Sequence, residues 1–386
     1  MIERKRLERR TKIVCTLGPA SNSPDVIERM LKAGMDIARF NLAHGTLAEH
    51  SRVIDTVRQV SQKLGLTTGI LPDLPGLKLK KGSIKEVFGE HLRFALSQNA
   101  TFAALSFISS ASQVKEVKEL LEEMDADIPL IVKIEKPGGL EEADAILELC
   151  DGIMVARGDL GLQIKIEKVP LAQKQLIKKA NHCGKPAITA TQMLESMVES
   201  PTPTRAEATD VANAVLDGTD AVMLSEETTI GKYPVEAVET MVRIVLEAEP
   251  AIPYEQILYE RGRDVPPEVN DATARAACQI AHQLGARAIV TFTTGGTTTL
   301  RVSKYRPSQP IIAVTPSENM RERLSLAWGV LSVKRPEPLS LEEVFDHATE
   351  VVMATGTAVK GDLIIITAGL PLLVPGNTNF VKVHRI

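Results

Sequence analysis

Aromatic residues are scarce: one Trp, four Tyr and eight Phe make up 3% of the 386 residues. With a formal charge of −4 and a pI near 6.1, that scarcity excludes the base-stacking platforms and phosphate-tracking basic faces of nucleic-acid-binding proteins. No apolar run approaches the roughly eighteen residues that a membrane-spanning helix needs, and the opening MIERKRLERR is charged where a signal peptide is apolar. No membrane partner is expected, and the expected location is cytoplasmic. Only four cysteines occur, Cys15, Cys150, Cys183 and Cys278, far apart and without a CxxC pair. This excludes a zinc site or disulfide frame and reads as thiols of a reducing compartment, three of them in apolar or helical contexts. The basic cluster from Lys5 to Lys12 reads as a solvated N-terminal arm.

What is present is 44% hydrophobic residues, enough for two domains with a core each. Short β-branched apolar runs recur, each followed by a helical pattern: Lys12–Thr16, Asp36–Phe40, Thr68–Leu71, Phe102–Phe107, Pro129–Ile134, Gly152–Ala156, Pro186–Ala190 and Asp220–Leu224. Eight such units are the arithmetic of a closed parallel (β/α)8 barrel, with a doubly wound open sheet as the competing architecture. After a long helix at Tyr233–Glu249, residues 250–270 are polar and proline-bearing and read as a linker. Residues 271–386 then alternate helix and strand, as in a smaller open α/β sheet. The expected division is a barrel domain over 1–249 and a C-terminal α/β domain over 271–386. In the latter, Thr294, Gly295, Gly296, Thr297 and Thr298 lie between a strand and its helix. Glycines and hydroxyls at a helix N-terminus form a candidate cradle for a phosphate.

The chemistry concentrates in IVKIEKPGGLEEADAILELCDGIMVARGDLG, residues 131–161. Lys133 and Glu135 stand two apart at a strand's end and so face the same way, and Arg157 and Asp159 follow the next strand. Barrel enzymes work at the C-terminal ends of their strands, where these residues fall. Two carboxylates from neighbouring strands, Glu135 and Asp159, suit a hard divalent cation that keeps positions open for substrate oxygens. The bland reading of the same four charges is a surface ion-pair network.

Taken together, TKIVCTLGPAS, AGMDIARFNLAHG, VKIEK, DGIMVARGDLG, ATQMLESM, PTPTRAEATDVANAVLDGTDAVMLS and SKYRP resemble the pyruvate kinase family. The resemblance implies a barrel, a lid domain inserted after its third strand and a C-terminal α/β domain, of which this chain resembles the first and third. It implies phosphoryl transfer from phosphoenolpyruvate to ADP, giving pyruvate and ATP, with Mg2+ (or Mn2+) on Glu135 and Asp159. Lys133 would neutralise charge on the phosphoryl group and the enolate, and Arg39 would grip the phosphate. The N–H groups of Gly158 and Asp159 would take the substrate carboxylate, and Thr191 would face the enolate carbon. Asn41, His44 and Lys80 would meet nucleotide phosphates, Lys80 standing where the family has arginine. Glu227 matches a glutamate behind the site, whereas Glu226 replaces a glycine. A phosphorylated effector at the Thr294–Thr298 loop and a homotetramer, in contact near Arg205 and through the strand Asn379–His384, are also implied.

Two departures shape the expectation. The lid is missing near residues 82–89, where the family carries about a hundred residues, a whole small domain. Slow turnover with ADP is therefore expected, or a protein that binds phosphoenolpyruvate and enolises pyruvate without efficient transfer. The monovalent-cation pocket, which the family commonly builds from Asn, Ser, Asp and Thr oxygens, is here Asn41, Ala43, Asp73 and Leu74, with Lys78 where a glutamate is usual. The Lys78 ammonium reads as a built-in replacement, so K+ is not an expected requirement.

Overall fold

The apolar runs form eight parallel strands: β1 Lys12–Thr16, β2 Ile37–Asn41, β3 Gly69–Leu74, β4 Ala103–Leu105, β5 Leu130–Ile134, β6 Gly152–Ala156, β7 Ala187–Ala190 and β8 Ala221–Leu224. Each pairs with the next and β8 pairs back with β1, through partners such as Lys12 with Ala221 and Ile13 with Val222. The sheet is thus a closed barrel, not the open sheet, and closure leaves no strand edge without a partner. This computed structural model describes residues 7–76, 82–261, 268–372 and 376–386. Among them no helix is long and apolar enough to cross a membrane.

Local signals set the helices between strands. Thr46 caps the helix Leu47–Leu64 by reciprocal bonds with Glu49: Glu49 N–H donates to Thr46 Oγ1 at 3.2 Å and Thr46 N–H to Glu49 Oε2 at 2.8 Å. Gly65 ends it in the left-handed conformation at φ 67°. The same capping logic acts in the stretch where the lid is missing: Ser83 and Glu86 form a capping box, which starts the helix Ile84–Ser97.

Thr11–Glu249 form one compact unit; Pro250–Ile386, with the described N-terminal residues through Arg10, form the other. In this second unit β9 Ile289–Phe292, β10 Ile311–Thr315, β11 Val330–Lys334 and β12 Leu363–Ala368 are parallel, and β13 Phe380–Arg385 runs antiparallel to β12. The sheet order is β11-β10-β9-β12-β13. Strand alternation sends Ile289, Ile311 and Ile365 into one apolar core with Ala274, Cys278 and Tyr305, and Val290, Ile312, Ile364 and Ile366 into another with Val344, Ala348 and Val351. Each fully buried Ile, Leu or Val of this kind contributes about 1.5–3 kcal/mol.

Two expectations are corrected here. Residues 250–270 are not simply a linker: Tyr254–Glu260 is a helix, and its Leu258 is buried among Ala274, Ala277 and Ile289. Nor is the basic N-terminal cluster a solvated arm in its described part. Arg9 is 3% exposed, Arg10 donates to Ser308 O at 2.7 Å, and Arg10 O accepts the N–H of Gly329 at 2.9 Å, just ahead of the edge strand β11. Lys12 is the buried first residue of β1. The reason is that backbone pairing at a sheet edge outweighs the hydration of long side chains whose stems pack well.

Candidate active site

At the C-terminal ends of the barrel strands lies a cavity of about 850 Å3. Its floor is a polar cluster built by residues on or at the ends of β1 to β5. Asp73, near the end of β3, is 1% exposed and collects most of the bonds. Its Oδ2 accepts from Arg39 Nε at 2.8 Å and Nη2 at 2.6 Å and lies 3.1 Å from Lys133 Nζ; its Oδ1 accepts from Ser106 Oγ at 2.8 Å. Arg39 Nη1 also donates to Thr16 Oγ1 of β1 at 2.8 Å. From β5, Lys133 Nζ donates to Ser106 Oγ at 3.0 Å and stands 2.8 Å from Glu135 Oε1. That approach is an ion-pair contact, and no backbone N–H or hydroxyl reaches Glu135 Oε1. The other oxygen, Oε2, accepts the Phe107 N–H at 2.6 Å.

Burial and charge set the protonation of this cluster. Burial pushes the Asp73 carboxyl up, but the Lys133 and Arg39 charges and the bonds from Arg39 and Ser106 overcome it and hold it below the ordinary value. Burial likewise works against the Lys133 ammonium, and the Asp73 and Glu135 carboxylates more than offset it, so Lys133 is raised. For Glu135 burial wins, aided by the Asp73 charge, and its carboxyl is raised despite Lys133. A fully buried carboxylate whose one oxygen is met by the Lys133 ammonium but by no backbone or hydroxyl donor is suited to a cation. Asp159, just beyond β6, lines the same cavity. Carboxylate oxygens are the donors that a hard divalent ion takes, and these two would leave it positions for substrate oxygens.

The remaining candidates divide. Asn41, His44 and Thr191 line the cavity with Arg39, Lys133, Glu135 and Asp159. Asn41 ends β2 and His44 follows it at the rim, where Asn41 Oδ1 accepts the Ala43 N–H at 3.2 Å. Gly158 does not line the cavity, and its N–H, expected to take a substrate carboxylate, donates to Thr191 Oγ1 at 2.8 Å. Arg157 does not join the mouth either. It turns away to pair with Asp210 at 2.6 Å, because the helix Arg157–Gly161 begins at this residue and strand alternation no longer aims its side chain. Glu227 is buried behind the wall: Oε1 accepts from Leu194 N–H at 3.0 Å and Oε2 from Ser225 N–H at 2.6 Å. Of the cation-pocket residues, Asp73 has both oxygens engaged, Ala43 and Leu74 bring no side-chain oxygen, and Lys78, like Lys80, lies outside the described residues.

Sequence reasoning missed Thr16, Ser106 and Ser225. The fourth apolar run extends in sequence through Phe107 and hides Ser106; the strand ends at Leu105, which makes Ser106 a strand-end polar residue. Ser225 lines the cavity with a buried hydroxyl that has no hydrogen-bond partner. Strain gathers at this site: Phe107 (φ 59°), Thr191 (φ 70°) and Gln192 (φ 55°) all hold left-handed backbone, at about 1–3 kcal/mol each. Gly76 packs backbone against Ser106, and a Cβ there would stand 1.9 Å from Ser106 O. Gly76→Ala is therefore expected to lower stability by about 1–3 kcal/mol. Urea unfolding checks this, and an unchanged midpoint would show that the loop yields at no cost.

In the second unit a small cavity of about 60 Å3 is lined by Thr294, Gly295, Thr297 and Thr298 together with Arg335 and Glu337. Gly296 supplies the left-handed turn (φ 83°) that starts the helix Thr297–Lys304. Thr294 Oγ1 donates to Glu337 Oε1 at 3.1 Å, so a carboxylate stands beside the expected phosphate loop.

A (β/α)8 barrel with paired cations and carboxylates at its strand ends, followed by an α/β domain, defines a class of barrel proteins that carry their chemistry on that face. Comparison with known proteins narrows the class. The family description "Pyruvate kinase, barrel domain" matches residues 8–90 and 74–238, and "Pyruvate kinase, alpha/beta domain" matches residues 271–384. The pyruvate kinase of Geobacillus stearothermophilus is 40% identical over 474 aligned positions, covering 98% of this chain and 81% of that protein. The pyruvate kinase of Staphylococcus aureus (strain MRSA252) is 38% identical over 471 positions, covering 98% and 80%. The chain belongs to the pyruvate kinase family. An alignment of 474 positions on a chain of 386 residues leaves roughly a domain's worth of the relative without a counterpart here.

Proposed function

We propose that this chain transfers the phosphoryl group of phosphoenolpyruvate to ADP, giving pyruvate and ATP. The observation that carries the reading is the Arg39–Asp73–Lys133–Glu135 cluster at the floor of the strand-end cavity. In this step an oxygen of the ADP β-phosphate bonds to phosphorus, the phosphorus–enol oxygen bond breaks, and the enolate takes a proton on its terminal carbon. Lys133, kept charged by Asp73 and Glu135, is the group for charge that develops on the phosphoryl and enolate oxygens. Arg39 has three of its five donor hydrogens engaged by Asp73 and Thr16, which leaves two for a phosphate. Glu135 and Asp159 would hold Mg2+ or Mn2+, which when bound supplies Lewis-acid neutralisation of substrate oxygens. Asn41 and His44 form the nucleotide side of the rim, Lys80 would meet the same phosphates, and no K+ is required. The Thr294–Thr298 loop is the proposed anion site of an effector.

A coupled assay with phosphoenolpyruvate, ADP and Mg2+ tests the reading. Turnover is expected, with a raised KM for ADP, since a lid that excludes water and completes the nucleotide site is missing. That absence also favours a second reading, in which the chain chiefly enolises pyruvate; deuterium exchange into the pyruvate methyl group, with Mg2+ and no ADP, is expected to persist. Neither turnover nor exchange, in a chain that binds phosphoenolpyruvate and Mg2+, sinks both. Glu135→Gln and Asp159→Asn are each expected to weaken Mg2+ binding, and unchanged affinity by calorimetry removes that residue from the metal site. A homotetramer is proposed on the edge strand β13, which among the described residues pairs only with β12, and on the exposed Arg205 end of the helix Arg205–Leu216. A monomer by sedimentation at micromolar concentration counts against it.

A further inference from the structure

At the end of β7, Thr191 (φ 70°) and Gln192 (φ 55°) hold consecutive left-handed conformations, which non-glycine residues seldom adopt. Such backbone persists only where its surroundings over-determine it. Here the Arg157 guanidinium does so. Its Nη2 donates to Thr191 O at 2.7 Å and its Nε to Ala190 O at 3.3 Å. On the opposite side Nη1 meets Asp210 Oδ1 at 2.7 Å and Oδ2 at 2.6 Å, and Gln173 Oε1 at 3.3 Å. The Thr191 hydroxyl is fixed as well: it accepts the Gly158 N–H at 2.8 Å and donates to Ala190 O at 2.6 Å. Thr191 lines the cavity and Arg157 does not. Asp210 stands on the helix Arg205–Leu216 outside the strands, so the pair ties that helix to the cavity wall.

We infer that Arg157 and Asp210 are positioning residues, which set the Thr191 hydroxyl at the face of the cavity where the enolate carbon gains its proton. The inference rests on the chemistry proposed above and assigns the pair to the proton step, since Arg157 meets Ala190, Thr191, Gln173 and, at 2.8 Å, Met193 Sδ, and none of Arg39, Asp73, Lys133 or Glu135. A planar guanidinium is required. Its donors point in fixed directions toward two carbonyls and a carboxylate at once, whereas a lysine presents one point of charge.

The test follows methyl exchange of pyruvate in D2O with Mg2+, using the full chain. In that exchange a methyl C–H bond breaks, its electron pair forms the enolate, and a deuteron from solvent returns to the same carbon. Arg157→Lys is expected to slow exchange at least tenfold while the Kd for phosphoenolpyruvate changes less than twofold, and to add no further loss once Thr191→Ala is present. Equal fold losses in both backgrounds, or none in either, overturn the inference. Asp210→Asn, the milder change, is expected to act in the same direction and carries the test if Arg157→Lys does not fold. Crystal structures of parent and variant decide the same point without activity. Thr191 and Gln192 are expected to relax from positive φ and the Gly158–Thr191 bond to lengthen, and unchanged geometry overturns the positioning role. A parent chain with neither exchange nor turnover defeats the proposed reaction alone, and the crystallographic comparison then still decides whether the pair positions Thr191.

Discussion

Lys133→Met is expected to abolish measurable phosphoryl transfer while the chain still binds Mg2+. The ammonium stands 2.8 Å from Glu135 and 3.1 Å from Asp73 on the floor of the cavity, and methionine keeps the stem's volume but removes the charge. A central electrostatic group of this kind is worth about 3 kcal/mol or more in the transition state, a loss of at least about a hundredfold in kcat/KM. Steady-state kinetics with phosphoenolpyruvate and ADP, beside Mg2+ calorimetry, separates the two properties. Near-parental turnover would remove Lys133 from the reaction.

Asp73→Asn is expected to have the largest effect on stability. The carboxylate is the shared acceptor of two buried cations, Arg39 and Lys133, and of the Ser106 hydroxyl. Removing one partner of a buried ion cluster leaves uncompensated charge and costs about 3–5 kcal/mol. The pH dependence has a definite sign. Asp73 is held below the ordinary carboxylate value, so its contribution is fully present above about pH 4, the range of an unfolded Asp, and is lost as pH falls through the lowered folded value. Glu135, pushed up by burial, contributes with the opposite sign. The informative quantity is therefore the difference between parent and Asp73→Asn in urea unfolding from pH 7 down to pH 3. That difference is expected to shrink toward the acid end, and a constant difference would show that the Asp73 charge is not what holds the cluster.

The strands, the barrel class and one half of the site were legible along the chain. Those features are local: β-branched runs alternate with helical periodicity, and two residues on one strand, Lys133 and Glu135, share a face whatever surrounds them. Family membership was legible for a related reason, because the motifs are long enough to be read without geometry. How the charges are partnered depends on packing between distant segments of the chain. Asp73 looked like a ligand left over from a degenerate cation pocket, yet barrel closure brings Arg39 from β2, Ser106 from the end of β4 and Lys133 from β5 onto its two oxygens. Arg157 looked like a member of the same mouth, but the helix begins at that residue and sends the guanidinium to Asp210, 53 positions further along the chain. The left-handed backbone of Thr191 leaves no mark in the sequence, since threonine does not favour it and only contacts from other elements hold it there. Strand alternation fixes which face a side chain takes; which partner it meets on that face depends on register and closure, and these are set by the whole barrel.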